Sequence, residues 1–301
     1  MKKIFLVVCA LIFSTSVFAA DKPLKVVSST TLAAELMRKI GGEHVKVDSI
    51  ASPKFNIHFI QPTPNHVRKT AHADLFVFYG LDLEAWADPL LAAAGNPKLF
   101  RGDERNLDLS VGIRLLKVPT GNLTRAAGDL HIWGNPHYAM NPENLLIMAE
   151  TACAKLVEID SVHAVDYRKN TDAFKSKLSQ KISEWKIMSS VATGKEIISY
   201  HDDLTYLADF MGFENEMFLE PKPGIPPTPK HLAELEVYGH EHHVRAIAVA
   251  SYQPRRSAEK LAKRIGAQVV AIAQSPGEIK GTENIFDFYE HNVRALSEVL
   301  K

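Results

Sequence analysis

The chain has 301 residues, and its 35 basic side chains balance 35 acidic ones. This neutrality argues against nucleic acid or an anionic membrane surface as the partner, because both select basic protein surfaces. Roughly 280 residues remain after an N-terminal export segment, and a chain of that length more often forms two lobes than one.

Residues 1–20 have the pattern of a cleaved signal peptide. Lys2 and Lys3 form a basic start, and the apolar stretch at residues 4–13 is too short to cross a bilayer. Small residues at positions 19 and 20 offer a cleavage site. Cys9 lies inside the apolar stretch rather than at its end, which argues against a lipid-anchored cysteine. The pattern predicts a secreted, periplasmic protein.

Residues 21–160 are predicted to form an N-terminal α/β lobe, because short apolar runs alternate with amphipathic helical patterns. The predicted elements are a strand from Leu24, a helix ended by Gly41 and Gly42, a strand at His44–Ile50, a helix at Pro62–Thr70, a buried strand at Ala73–Gly80, a helix at Leu81–Ala94, a looser segment at 96–128, and a helix from Pro142 to Ile159.

Residues 161–190 are predicted to form one long linker helix, from His163 to about Met188. This stretch is mostly polar, with larger residues at helical spacing. The same pattern is expected of a helix that separates two lobes and of an ordinary surface helix. The larger residues are Tyr167, Phe174, Leu178, Ile182 and Trp185.

Residues 191–301 repeat the alternation and are predicted to form a C-terminal α/β lobe. The predicted elements are a strand at Glu196–Tyr200, a helix at Leu204–Met211, a stiff loop at Pro221–Pro229, a helix at Lys230–Gly239, a strand at Ala246–Ala250, a helix at Ser257–Ile265, a strand at Val269–Ala273 and a helix at Ile285–Leu300. The predicted fold is therefore α/β, with two lobes, each a small parallel sheet flanked by helices, joined by one long helix.

Three histidines follow predicted strands or lie in turns where a parallel α/β sheet binds ligands: His58, His137 and His201. If the two lobes face each other, the three converge on the cleft. Neutral imidazole suits zinc and other late first-row divalent ions. The sequence separations are long, however, so separate surface histidines remain an alternative at this point.

Several motifs together resemble the zinc/manganese solute-binding proteins of ABC transporters, and they cover essentially the whole mature chain in order. They are His58 with Gln61-Pro62-Thr63-Pro64, Ala73-Asp74-Leu75 leading to the run from Tyr79 to Trp86, Gly134-Asn135-Pro136-His137-Tyr138 with Asn141-Pro142, Tyr200-His201, and the Pro-rich run from Glu220 to Pro227.

This resemblance implies two four-stranded lobes joined by one long helix, with a divalent metal bound in the cleft. The partners it implies are that metal ion and an inner-membrane ABC permease. Residue-by-residue carry-over makes His58, His137 and His201 the metal ligands. A monomeric binding protein, rather than an enzyme, is expected.

The fourth ligand position departs from the family pattern. Such proteins commonly place a carboxylate just after the last strand of the second lobe, where this chain has Ala273 and Gln274. Glu278, Glu220, Gln274 or water could complete the site. Three neutral nitrogens without a certain carboxylate favour Zn²⁺ over Mn²⁺, because manganese prefers hard oxygen donors.

Other polar residues have two interpretations each. His131 is either a partner of the site or a solvated loop residue. Asp202 and Asp203 either orient His201 or cap a helix. The cluster at the end of a predicted helix is either a metal-scavenging tract or a solvated helix end; it comprises His240, His242 and His243.

Two alternative functions share these features. A zinc hydrolase also uses three histidines with an open water position, but neither a His-Glu-x-x-His nor a Gly-x-Ser-x-Gly pattern is present. A binding protein of the same fold could instead take a chelated metal or an organic ligand. The three-histidine carry-over argues against that last alternative.

Overall fold

The protein is built on two parallel sheets, and its computed structural model describes residues 22–120 and 131–301. The predicted signal peptide lies outside the described residues. The first sheet has the order β2-β1-β3-β4 and the second the order β6-β5-β7-β8, so the two share one topology. The strands are β1 (Leu24–Ser28), β2 (Val45–Ser49), β3 (Leu75–Phe78), β4 (Asn106–Asp108), β5 (Glu196–Ser199), β6 (Glu214–Phe218), β7 (Ala246–Val249) and β8 (Gln268–Ala271).

Helices connect and cover the strands, as parallel pairing requires. They are α1 (Thr31–Gly41), α2 (Pro64–Ala71), α3 (Ala87–Ala94), α4 (Asn144–Ile159), α5 (Ala164–Ser189), α6 (Thr205–Met211), α7 (Pro229–Glu241), α8 (Arg255–Ile265) and α9 (Ile285–Leu300). The strands β3 and β7 are buried along their whole length. Continuous apolar sequence there is the consequence of burial on both faces of the sheet.

The long helix α5 joins the two halves of the molecule, which confirms the predicted two-lobe α/β class. All five large residues of its predicted stripe are buried. Near its start, Asn170 Nδ2 donates to the carbonyl of Ile40 at 3.0 Å, at the end of α1. Near its end, Trp185 Nε1 donates to Glu290 Oε2 at 2.7 Å, on α9. Because α5 contacts elements of both halves, it is a spine rather than an ordinary surface helix.

The helix predicted from Leu81 begins only at Ala87. Leu81 and Asp82 have left-handed φ angles of 52° and 60°, which interrupt any helix there. Glu84 stabilises this turn, because its carboxylate accepts hydrogen bonds from the backbone N–H groups of Tyr79 and Gly80.

The helix predicted from Pro142 begins at Asn144. Asn141 lies just before this helix, and its Oδ1 accepts from Glu143 N at 2.8 Å. The first turn is tighter than an α-helix, because Leu145 N donates to the carbonyl of Pro142 three residues back.

Two edge strands were missed by the sequence patterns. β4 has three residues and lies inside the segment predicted to be loose. β6 has the sequence Glu-Asn-Glu-Met-Phe, with exposed glutamates that carry little apolar signal. Short, partly solvated edge strands need few apolar residues, so hydrophobic patterning does not reveal them.

Within the two described ranges, none of the helices combines the length and the apolarity needed to cross a membrane.

Candidate metal centre

The three histidines predicted to form the site lie together between the two sheets. One ring nitrogen from each of His58, His137 and His201 falls within 4.8 Å of the other two. The Nε2 atoms of His58 and His137 are 3.3 Å apart. The ring of His201 has its centroid 5.5 Å from that of His58 and 5.4 Å from that of His137. His58 and His137 are 79 positions apart along the chain, and His137 and His201 are 64 apart. The three imidazoles nevertheless point to one place.

His58 is held on a single 3₁₀ turn, Ile57–Phe59. Asn56 caps this turn, with its Oδ1 accepting from His58 N at 3.0 Å. The indole of Trp86 donates to the carbonyl of Ile57 at 2.7 Å. These contacts anchor an otherwise irregular loop, so the imidazole is placed before any ligand arrives.

His137 is held by Asn135, which the sequence patterns did not single out. Asn135 is 7% exposed, and its Oδ1 accepts from His137 N at 2.9 Å. Its Nδ2 donates to the carbonyl of Asp202 at 2.7 Å, beside His201. One amide side chain therefore connects the backbones of two of the three histidine segments.

His201 lies two residues after the end of β5, and its Nδ1 lies 2.9 Å from Glu220 Oε2. A carboxylate can only accept, so Nδ1 carries the hydrogen, and in the neutral ring Nε2 carries the lone pair. The group that orients His201 is thus Glu220, rather than Asp202 or Asp203, for which this role was one of two interpretations. Asp202 instead pairs with Lys117 and accepts from the hydroxyl of Thr205.

Electrostatics differ among the three rings. Burial, followed by the neighbouring histidines, lowers the pKa of His58 and of His137 well below the ordinary value. Burial alone would also lower the pKa of His201, but the Glu220 hydrogen bond and the charges of Asp203 and Asp202 outweigh it and raise that pKa. Neutral imidazoles are the form that binds metal ions.

The described residues bring no carboxylate into the set of mutually close donor atoms. Glu278 accepts from Ser251 N at 2.7 Å and from Gln274 N at 2.6 Å, so both of its oxygens face loop backbone. Glu220 faces His201. Gln274 lines a cavity together with His137. The donor set therefore consists of three nitrogens, which fits zinc or another late divalent ion.

The remaining histidines lie in different surroundings. The ring of His131 has its centroid 5.2 Å from that of His58, so it stands beside the centre. At the end of α7, His242 stacks on Tyr238 and its Nδ1 lies 2.7 Å from Glu196 Oε1. His240 and His243 are exposed there, and the three do not form a group of close donor atoms in the described part of the chain.

The profile of one protein family, described as the zinc-uptake complex component A periplasmic, matches residues 26–299. The match covers most of the chain and includes all three histidines. The chain belongs to this family.

Curated relatives carry names for different metals. The iron-binding protein YfeA of Yersinia pestis is 28% identical over 85% of this chain and 81% of its own length. The high-affinity zinc uptake system protein ZnuA of Bacillus subtilis is 25% identical, covering 98% and 94%. The manganese ABC transporter substrate-binding lipoprotein PsaA of Streptococcus pneumoniae is 26% identical, covering 73% and 70%. The family is one of metal-binding components of ABC transporters, and its members' names do not agree on one metal.

Solved structures share the fold. A crystal structure of ZnuA has a TM-score of 0.77 at 19% identity, covering 93% of this chain and 100% of the other. A manganese-bound periplasmic metal-binding protein from Candidatus Liberibacter asiaticus also has a TM-score of 0.77, at 20% identity with 92% and 100% coverage. These likenesses establish the two-lobe architecture.

Proposed function

We propose that this protein captures a divalent transition metal, preferably zinc, in the cleft between its lobes and delivers it to an ABC permease. His58, His137 and His201 are the proposed ligands. The observation that carries the proposal is their convergence, with one nitrogen from each inside a 4.8 Å set. Two of the histidines come from the first half of the chain and one from the second, so a bound ion would join both lobes.

The donor chemistry supports zinc over manganese. The described donor set contains three imidazole nitrogens and no carboxylate oxygen. Zinc accepts histidine nitrogen readily in a four-coordinate site, whereas manganese favours carboxylate, carbonyl and water oxygens. Water or Gln274 would complete the shell. The fourth ligand is thereby weak, which suits a carrier that must release its ion.

Metal content tests the ligand assignment. Purified wild-type protein should hold one equivalent of zinc, and His137→Ala should lose it, because two imidazoles and water bind zinc far more weakly. His240→Ala is the matched control, since His240 is an exposed histidine outside the centre. Stoichiometric zinc in His137→Ala would show that the metal binds elsewhere.

Competition tests the metal preference. Zinc should displace manganese from the wild-type protein at equal concentrations of the two ions. Equal retention of both ions would contradict the zinc assignment and would indicate a carboxylate in the metal shell.

The transport role implies export and a membrane partner. We infer cleavage after residue 19 or 20, a periplasmic location, a monomeric state and docking to an inner-membrane permease. Mass spectrometry of the exported protein should give a mature chain that begins near Asp21. A mature chain that retains Lys2 and Lys3 would contradict the signal peptide.

A further inference from the structure

Glu220 lies beside His201 because the two residues follow neighbouring parallel strands. β5 and β6 pair in parallel, and the pairing continues past both strand ends. Leu219 N donates to the carbonyl of Ser199 at 2.9 Å, and Glu220 N donates to that of Tyr200 at 3.0 Å. Backbone hydrogen bonds of the sheet therefore set the distance between the carboxylate and the imidazole.

The contact of Glu220 with His201 is shielded from water. The two side chains are 16% and 14% exposed, and Oε2 lies 2.9 Å from Nδ1. A carboxylate behind a metal-binding imidazole fixes the ring orientation and the tautomer, and it makes the other nitrogen a better donor. Here that other nitrogen is Nε2, because the carboxylate occupies Nδ1.

The same carboxylate oxygen holds the Pro-rich loop. Glu220 Oε2 also accepts from Gly224 N at 3.2 Å, within a turn closed by Ile225 N donating to the carbonyl of Lys222. Gly224 has a φ of +78°, and a Cβ placed there would lie 3.9 Å from the ring of Phe59. Phe59 adjoins His58, so this loop from the second lobe reaches the histidine loop of the first.

The loop also borders the metal centre itself. Pro223 lines one cavity together with His137 and His201. Pro223 therefore lies beside the site, and the other residues of the segment 221–225 are exposed to solvent.

We propose that Glu220 is a positioning residue: through one oxygen it fixes His201 for metal binding and holds residues 221–225 beside the site. The inference rests on the proposed metal-binding function. Because both hydrogen bonds share Oε2, a metal that immobilises His201 also immobilises the loop. Without the carboxylate, a metal bound to His201 would no longer immobilise the loop.

Zinc affinity of Glu220 variants tests the positioning role. Glu220→Ala should weaken zinc binding by about 10- to 100-fold. Glu220→Gln keeps an acceptor oxygen and should recover most of that loss. Glu216→Ala is the matched control, since Glu216 is an exposed glutamate of β6. Unchanged affinity in Glu220→Ala would overturn the proposal, and so would a Glu220→Gln as weak as Glu220→Ala, because an acceptor oxygen at this position would then not fix His201.

Hydrogen exchange tests the link to the loop. In the wild-type protein, zinc should slow exchange of the Gly224 amide; in Glu220→Ala, the same amide should exchange fast with or without zinc. Equal zinc-dependent protection in the two proteins would overturn the link. Urea unfolding of the apo variants should still show one cooperative transition, which separates positioning from a loss of fold.

The two proposals fail in distinguishable ways. If His137→Ala keeps its zinc, the proposed function is wrong. If His137→Ala loses zinc while Glu220→Ala keeps full affinity, the site stands and only the role of Glu220 is wrong.

Discussion

Single polar side chains hold the segments that carry the three histidines, and Asn135 shows this most clearly. Its amide accepts from His137 N and donates to the carbonyl of Asp202. An amide is the side chain that offers both a donor and an acceptor in this compact form. One residue therefore fixes the turn that carries His137 relative to the strand end of the other lobe.

Replacement of Asn135 should affect both stability and zinc affinity. Asn135→Ala leaves His137 N and the Asp202 carbonyl without their partner. We expect this to lower the free energy of unfolding by about 1–3 kcal/mol. Zinc binding should weaken as well, because His137 loses its backbone anchor. Asn135→Asp keeps the acceptor for His137 N and should retain more affinity than Asn135→Ala. Urea unfolding and zinc competition measure the two effects; equal values for wild type and Asn135→Ala would contradict this role.

The buried carboxyl of Glu84 stabilises the left-handed turn at Leu81 and Asp82. It accepts from Ser29 Oγ and Tyr79 N through one oxygen and from Gly80 N through the other. Glu84→Gln must place an NH₂ group against at least one backbone N–H in either orientation. We expect a loss of about 1–3 kcal/mol in the free energy of unfolding, measured with urea. A variant as stable as wild type would show that the turn does not depend on the carboxylate.

Glu84 also makes the stability of the fold depend on pH, and the direction of that dependence follows from its pKa. Burial raises the pKa of Glu84 to about 7, with the hydrogen bonds from Ser29 and Tyr79 opposing that rise. A carboxyl whose pKa is higher in the folded state stabilises the fold most below its unfolded pKa, and this contribution is lost as pH rises towards 7. The stability difference between wild type and Glu84→Gln should therefore shrink from about pH 5 to pH 7.5. A difference that stays constant or grows would contradict the raised pKa.

At the scale of elements, α5 is the structural link between the lobes. Its buried stripe packs against α1, α4 and α9. Leu178 in the middle of this stripe is fully buried. Leu178→Ala should cost about 2–5 kcal/mol because it leaves a cavity. Gln180→Ala, an exposed neighbour, should change stability by less than about 0.5 kcal/mol.

Unfolding cooperativity reports whether α5 acts on both lobes. Tryptophan fluorescence and far-ultraviolet circular dichroism should show one shifted transition in Leu178→Ala. Two separated transitions would indicate that α5 belongs to one lobe alone.

The sequence patterns predicted elements with strong apolar periodicity more completely than edges and turns. The predicted helix Ile285–Leu300 matches α9 at both ends, and β3 and β7 lie within their predicted runs. The predicted start of α3 was wrong because Glu84 accepts hydrogen bonds from the nearby backbone N–H groups of Tyr79 and Gly80. Hydrophobic periodicity does not reveal such polar contacts. β4 and β6 were missed because their sequences, Asn-Leu-Asp and Glu-Asn-Glu-Met-Phe, contain few apolar residues.

In the candidate site, too, sequence patterns revealed some residues and not others. His58, His137 and His201 were found because strand ends and family motifs mark them. Asn135 and Glu220 act through contacts between segments far apart in the chain. Glu220 was considered only as a fourth ligand, and it follows an edge strand that was itself missed, so its contact with His201 Nδ1 was not predicted.

At the scale of the whole molecule, several contacts besides those of α5 also join the lobes. Arg114 binds both oxygens of Asp209, and Leu116 N donates to the hydroxyl oxygen of Tyr206 at 2.9 Å. Lys117 pairs with Asp202 at 3.0 Å. Because α5 and these contacts all join the lobes, wide opening of the cleft would break many interactions at once.

We therefore expect small lobe movements on metal binding. Solution scattering of apo and zinc-loaded protein should give nearly the same radius of gyration. A clear contraction on zinc binding would show a hinge that these contacts do not prevent.

X-ray absorption of the zinc-loaded protein tests the three-histidine centre most directly. Zinc–nitrogen distances in protein sites are about 2.0–2.1 Å. We expect a first shell of three imidazole nitrogens at that distance with one further light atom, and multiple scattering from three rings. The spectrum of His137→Ala should lose one ring. A wild-type shell dominated by carboxylate oxygens, or one with fewer than three imidazoles, would contradict the centre formed by His58, His137 and His201.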